Sequence, residues 1–351
     1  MYKKFVMGIA AMAALTLVSC SSDDLDSFSD NSSKNEAISF DGYLGRSAVA
    51  VNGSRGSVLD NTTLPSKGFG VFGNYTSTET ENVAFGSSLF NNVKVTGTTS
   101  TGGTTWTYSP KKYWPTEGHI DFLAYAPHVE GKTLTGSTIE FTVAGEAANQ
   151  TDLLWANAKD QTKAKNSGTN KVKFTFNHAL SKIGYAVKKG VNDDNVTITL
   201  NKITLAGSAT DQAVGAFYTD GTIDLSKDLS NADDATVLWK NQKGKQSFTW
   251  STGFPDVTGS SSASSEYLFV IPQDFSTGTE LYVIVNYTIS YKNGATATMT
   301  STVSSRIKKN FLQGKAYTIN LNIGLTPIEF NAEVNDWNPK DGGESIDASW
   351  N

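Results

Sequence analysis

Val172-Lys-Phe174-Thr-Phe176-Asn-His178 alternates apolar and polar side chains residue by residue. A period of two puts every apolar group on one face of an extended chain, the pattern of a half-buried β-strand. Working outward, Ile38, Phe40 and Leu44 alternate with Ser39, Asp41 and Tyr43 in the same way. So do the runs Val196, Ile198, Leu200; Leu281, Val283, Val285; and Tyr317, Ile319, Leu321. Gly/Ser/Thr/Asn clusters at 96–105 and 258–265 lie between such runs and read as loops. No segment keeps apolar residues at i, i+3, i+4 and i+7 over three turns. The reading is therefore all-β, with many short strands stacked as β-sandwiches. At 351 residues the chain is long enough for two domains. Lys159–Lys171, charged and apolar only at Ala164, is the expected linker. It divides the body into domains at 37–168 and 169–351.

The N-terminus carries Lys3 and Lys4, an apolar stretch from Phe5 to Val18, and then Leu17-Val18-Ser19-Cys20. That order predicts a secretory signal peptide over 1–19, too short to span a bilayer. Small residues before the chain's lone cysteine resemble a bacterial lipobox, which implies cleavage before Cys20 and lipidation of its thiol. Several acyl chains would then anchor the protein firmly, where one would not. Residues 20–36 follow as a Ser-rich, acidic stretch that reads as a flexible tether. Asp23, Asp24 and Asp26 resemble the sorting signal of surface-exposed lipoproteins in some Gram-negative bacteria.

Several chemistries find no support. The net charge of −5 comes without a basic block, which argues against nucleic acid. With Cys20 lipidated, no disulfide is available to the fold. The three histidines, His119, His128 and His178, lack metal-ligand spacing, so no metal is expected. No nucleophile elbow, H-E-x-x-H or P-loop occurs. Gly68-Phe-Gly-Val-Phe-Gly73 matches a dinucleotide motif literally, but Asn74-Tyr75-Thr76-Ser77 follows where a helix must open, so the segment reads as a strand. Asp193-Asp194 and Asp233-Asp234 fall in turn-like segments. The expectation is a non-enzyme without a cofactor.

Aromatic residues crowd two segments, WTYSPKKYWP at 106–115 and DFLAYAP at 121–127. They read either as core and turn scaffolding or as an exposed platform, formed among Trp106, Tyr113, Trp114 and Trp239, that stacks on sugar rings.

These segments, with Asp152-Leu-Leu-Trp155-Ala156, Phe174-Thr-Phe176-Asn-His178-Ala-Leu-Ser-Lys182-Ile183, Val270-Ile271-Pro272-Gln273, Lys315-Ala-Tyr317-Thr-Ile-Asn-Leu321 and Ile328-Glu-Phe330-Asn-Ala332-Glu-Val334-Asn-Asp336-Trp337, together resemble the fimbrillin family, the pilins of type V pili. The resemblance implies two tandem transthyretin-like Greek-key β-sandwiches and export as an outer-membrane, cell-surface lipoprotein. It further implies processing by a trypsin-like or Arg-specific protease, then polymerisation with other fimbrial subunits by donor-strand exchange. Carried onto this chain, Ile38, Phe40 and Leu44 mark the removable first strand. Arg46 is the scissile residue, with Arg55 as runner-up. The arm Ile328, Phe330, Ala332, Val334 is either the donor strand or the last strand of its own sandwich. A shaft role, a tip or accessory role contacting host protein or glycan, and a glycan-binding surface lipoprotein are the alternatives.

Overall fold

The computed structural model describes residues 37–44, 58–77, 89–167, 171–227, 238–293, 295–325 and 331–336. The elements discussed here all lie within Asn35–Asn351, which forms one compact unit. In chain order the first strands are β1 (Ser39–Leu44), β2 (Phe69–Thr76), β3 (Phe90–Ser100), β4 (Gly103–Thr107), β5 (His119–Ala126), β6 (Thr138–Thr142), β7 (Leu154–Gln161) and β8 (Lys171–His178). Then come β9 (Ser181–Lys189), β10 (Val196–Ala206), β11 (Phe217–Asp224), β12 (Trp239–Gln246), β13 (Phe248–Trp250), β14 (Ser262–Ala263) and β15 (Leu268–Val270). The chain continues through β16 (Gln273–Asp274), β17 (Tyr282–Asn293), β18 (Ala295–Arg306), β19 (Asn310–Phe311), β20 (Ala316–Ile323) and β21 (Asn331–Asp336). Among the described residues helix occurs at α1 (Leu64–Lys67), at a 3-10 turn over Ala147–Asn149 and at Leu238. None is long and apolar enough to cross a membrane.

Seven strands form one sheet in the order β1-β8-β7-β5-β2-β3-β4. β1 and β8 run parallel, and every other neighbouring pair is antiparallel. One face of this sheet gathers a core that is mostly aromatic: Phe40, Phe69, Phe90, Trp106, Trp114, Phe122, Phe174 and Phe176, with Ile38 and Leu44. The opposite face, carrying Phe72, Leu123, Tyr125 and Trp155, belongs to the second core. The apparent dinucleotide motif is β2 itself, inside the sheet between β3 and β5. Its glycines serve packing. A Cβ on Gly70 would lie 2.5 Å from the Tyr125 ring.

The second core is filled from two further sheets. β9 and β20 pair in parallel, with β14 and β15 against β9 and β21 against β20. Facing them is the sheet β13-β10-β17-β18. Ile183, Tyr185 and Val187 on β9 and Tyr317, Ile319 and Leu321 on β20 share one cluster with the inward residues of β10 and β17. Val196, Ile198 and Leu200 keep the expected alternation along β10, and then the register against β17 shifts between Leu200 and Lys202. The extra residue, Asn201, is left exposed, and Ile203 and Leu205 resume the inward face. A β-bulge of this kind keeps a long strand on its core while bending it. A three-stranded sheet, β12-β11-β6, and the pair β16-β19 complete the architecture.

The sheets divide later than residue 168. β8 follows that point yet lies inside the seven-stranded sheet, and its Val172, Phe174 and Phe176 enter the first core. Lys159–Gln161 therefore end β7 and Lys171 opens β8, two strands of one sheet. β6, from before residue 168, pairs instead with β11. The polar composition of a solvent-exposed hairpin and of an interdomain linker is the same, so only long-range pairing distinguishes them.

Candidate functional site

β1 is six residues long and terminates the seven-stranded sheet. With Ile38 just before it, its alternation places Ile38, Phe40 and Leu44 inward, at 0%, 2% and 5% exposure. The Phe40 ring is the centre of an aromatic cage. Its centroid lies 5.5 Å from Phe90, 5.3 Å from Tyr108, 5.5 Å from Phe122 and 5.7 Å from Phe174. Such edge-on and offset contacts add roughly 0.5–1.5 kcal/mol per pair beyond area burial. Gly42 takes the remaining inward position, because a Cβ there would stand 3.1 Å from Phe69 and 3.2 Å from Phe176. The outward Tyr43 is exposed, and its hydroxyl accepts a hydrogen bond from Thr175 Oγ1 at 2.8 Å.

The backbone of β1 is held on both sides. One edge pairs with β8 from Ser39–Lys171 through Leu44–Phe176. On the other, Ile38 N–H donates to the Lys112 carbonyl at 2.8 Å. The Tyr108 hydroxyl donates to the Ile38 carbonyl at 2.7 Å, and Leu44 N–H donates to Asn61 Oδ1 at 2.7 Å. Burial raises the Tyr108 hydroxyl above the usual phenol range, so it stays protonated and able to donate. β1 thus behaves as a plug, with three apolar side chains in a groove and fastenings along both edges.

Below this sheet, where β8 hands the chain to β9, sits a buried charged group. His178 Nδ1 lies 2.7 Å from Asp152 Oδ2, and the same oxygen accepts Leu59 N–H at 3.2 Å. Burial disfavours a charged His178, but the charge and hydrogen bond of Asp152 outweigh it and hold the imidazole above its ordinary value. Lys182 is pushed down to about 8 by burial, with Asp152 opposing, and its ammonium lies 4.5 Å from the centre of the Tyr267 ring. This cluster ties the segment just after residues 45–57 to the boundary between the two cores. Sequence reading missed it because its members lie in separate segments at 59, 152, 178 and 182.

The aromatic platform is absent as a surface. Trp106, Trp114 and Trp239 are buried, and only Tyr113 of the four stands in solvent, at 53% exposure. Trp239 Nε1 donates to the Ala179 carbonyl at 2.8 Å, inside the second core. The scaffolding reading is correct for these tryptophans. The fold does gather one group of metal-ligand type among the described residues: His119, Asp121 and Asp160, with ligand atoms within 4.8 Å of one another. Asp121 Oδ1 there already accepts Asp160 N–H at 2.7 Å, so the arrangement closes a register shift between β5 and β7. Spacing along the chain could not reveal it, since the two strands are 39 residues apart at this point.

Cys20, Arg46, Arg55, Ile328 and Phe330 lie outside the described residues. Ala332 and Val334 fall in β21, whose backbone pairs antiparallel with β20, Ala332 opposite Leu321 and Val334 opposite Ile319. β21 is the outer strand of that sheet.

A family model described as fimbrillin-like matches residues 57–337. No curated protein matches the chain. Among solved structures, a fimbrial protein from Bacteroides vulgatus ATCC 8482 shares the fold, with a TM-score of 0.65 and 22% identity over 86% of this chain and 98% of that one. The fimbrial anchor protein Mfa2 from Porphyromonas gingivalis aligns at a TM-score of 0.31 and 9% identity, over 78% of this chain and 91% of its own.

Proposed function

The chain belongs to the fimbrillin-like family, and on that premise we propose that it is a structural subunit of a cell-surface fimbria that joins its neighbours by exchanging strands at the groove under β1. The observation that carries this reading is the geometry of β1. It is an outermost strand, yet its side chains complete an aromatic core. Withdrawing it would face Phe90, Tyr108, Phe122 and Phe174 with water and bare the β8 ladder. An incoming extended segment answers both needs at once, its backbone pairing with the edge and its alternate side chains filling the groove. The run Ile328, Phe330, Ala332, Val334 has the required alternation.

In this scheme the protein is exported by its signal peptide and held at the outer membrane through lipidated Cys20. A trypsin-like or Arg-specific protease cuts after Arg46, two residues beyond the end of β1, with Arg55 as the alternative site. Leu59 and Asn61 stay with the body, Leu59 buried and bonded to Asp152. Donation requires β21 to leave β20, and as an outer strand it breaks only one ladder in doing so. Its pairing within its own chain supports a second reading, a tip or accessory adhesin that accepts a strand without giving one. The buried tryptophans speak against the glycan-platform alternative.

Limited trypsin treatment of the full chain in detergent, followed by determination of the new N-terminus and of oligomeric state, tests the proposal. Cleavage after Arg46 with a ladder of SDS-resistant multimers is the expected result. Cleavage with a persistent folded monomer selects the tip reading. A folded body in which neither Arg46 nor Arg55 is cut contradicts the proposal.

A further inference from the structure

Sheet edges expose unpaired N–H and C=O groups, and proteins blunt them with charge, proline, bulges or brevity. The edges described here follow that rule with one exception. β12 carries Lys240, Lys243 and Lys245, β6 carries Glu140, and β21 carries Glu333 and Asp336. β13 and β14 are three and two residues long, and β4 is five. β18 is twelve residues long, ATATMTSTVSSR, with no charge before Arg306 and no proline. It pairs with β17 from Asn293–Ala295 to Tyr282–Arg306 without a register shift. Among the described residues nothing pairs with its other side.

The inner face of β18 is also incompletely covered. Val303 is buried, but Met299, on the same face, is 43% exposed and Ala297 is exposed. The outer face is preorganised by cross-strand bonds. Asn286 Nδ2 donates to Thr302 Oγ1 at 2.8 Å, the Thr288 and Thr300 hydroxyls lie 3.1 Å apart, and Asn201 Nδ2 donates to Asn286 Oδ1 at 2.9 Å. These side chains are already fixed, so another strand would order little more than its own backbone.

We propose that β18 is a lateral interface that pairs antiparallel with β18 of a second copy of this chain, joining two four-stranded sheets into one of eight. Charge is what selects a second copy as the occupant. The strand is uncharged from Ala295 through Ser305, so it meets no like charge when laid against itself. A register centred on Ser301 is compatible with the pleat, because it keeps inward residues opposite inward ones. It sets Met299 against Val303 of the second copy and Thr300 against Thr302 of the second copy. The two Arg306 side chains then stand roughly 34 Å apart along the strands, beyond screening range in physiological salt. This contact is independent of the groove under β1 and lies in a different sheet, so it would connect subunits side by side rather than in series.

The test is sedimentation equilibrium of the full chain in density-matched detergent, with hydrogen exchange of the 295–306 segment at low and high protein concentration. The expected result is a mass that doubles as concentration rises, with slowed exchange in β18 that follows the dimer. Met299→Lys puts a charge at an exposed inward position, and it should restore the monomer while leaving the circular dichroism unchanged. A monomer at every concentration overturns the proposal. So does a dimer that survives Met299→Lys, or one in which β18 exchange in the wild-type chain does not change with concentration. The wild-type exchange measurement decides the matter even where the variant folds poorly.

Discussion

β1 and β18 are both outermost strands, and they are held in opposite ways. β1 is half as long, but with the preceding Ile38 it drives three side chains into the first core and has backbone bonds on both edges. β18 offers twelve residues of regular pairing to β17 and, among its described side chains, buries only Val303. One strand is attached by what it fills, the other by its ladder. Losing the first leaves a hydrophobic groove that another segment must occupy. The second is an edge to which a segment can be added with nothing removed. Length is thus a poor guide to how much a strand matters, since burial of one phenylalanine contributes about as much as two or three hydrogen bonds.

The comparison breaks most visibly at Phe40. Phe40→Ala should cost about 3–5 kcal/mol, the range for an aromatic removed from a closed core, read as a lowered urea midpoint. Asp152→Ala comes next, at about 3 kcal/mol or more, because it takes the buried carboxylate partner from His178 and frees Leu59 N–H. It should loosen the β1 end of the molecule before the β18 end in hydrogen exchange.

The pH dependence follows from the same cluster. His178 binds its proton more tightly folded than unfolded. Its contribution is full below the unfolded value of about 6.5 and is lost as pH rises through the raised folded value. Lys182 has the opposite sign. With its folded value lowered to about 8, stability recovers between there and the ordinary lysine range. Urea unfolding across this interval should show a dip, and His178→Gln should flatten its acid side.

Smaller effects sharpen the contrast. Tyr108→Phe removes the donor to the Ile38 carbonyl and should cost about 1 kcal/mol. It should also speed exchange in β1 and not in β18. Thr298→Ala, at an exposed position of β18, should stay within about 0.5 kcal/mol of wild type.

Much of this organisation could be read from alternation alone. Ile38, Phe40 and Leu44 are inward as spaced, as are Val172, Phe174, Phe176 and Tyr317, Ile319, Leu321. Period two assigns faces but says nothing of partners. It could not reveal that β1 runs parallel to β8 across some 130 residues of chain, and so the division at 168 was misplaced. The groove was half legible. Phe40 announces itself, but Gly42 owes its place to rings on β2 and β8, and the Asp152–His178 pair exists only once separate segments meet. Trp106 and Trp114 carry no sequence mark that separates a buried indole from a binding platform.

The account stands on β1 being a releasable plug over an aromatic groove. Its most direct test is hydrogen exchange of β8, Lys171–His178, in the full chain before and after cleavage at Arg46, and again with a peptide spanning residues 327–336. The account predicts that β8 amides lose protection when β1 is released and regain it when the peptide binds. Unchanged β8 protection after the first strand has left, or lost protection that the peptide fails to restore, would contradict it.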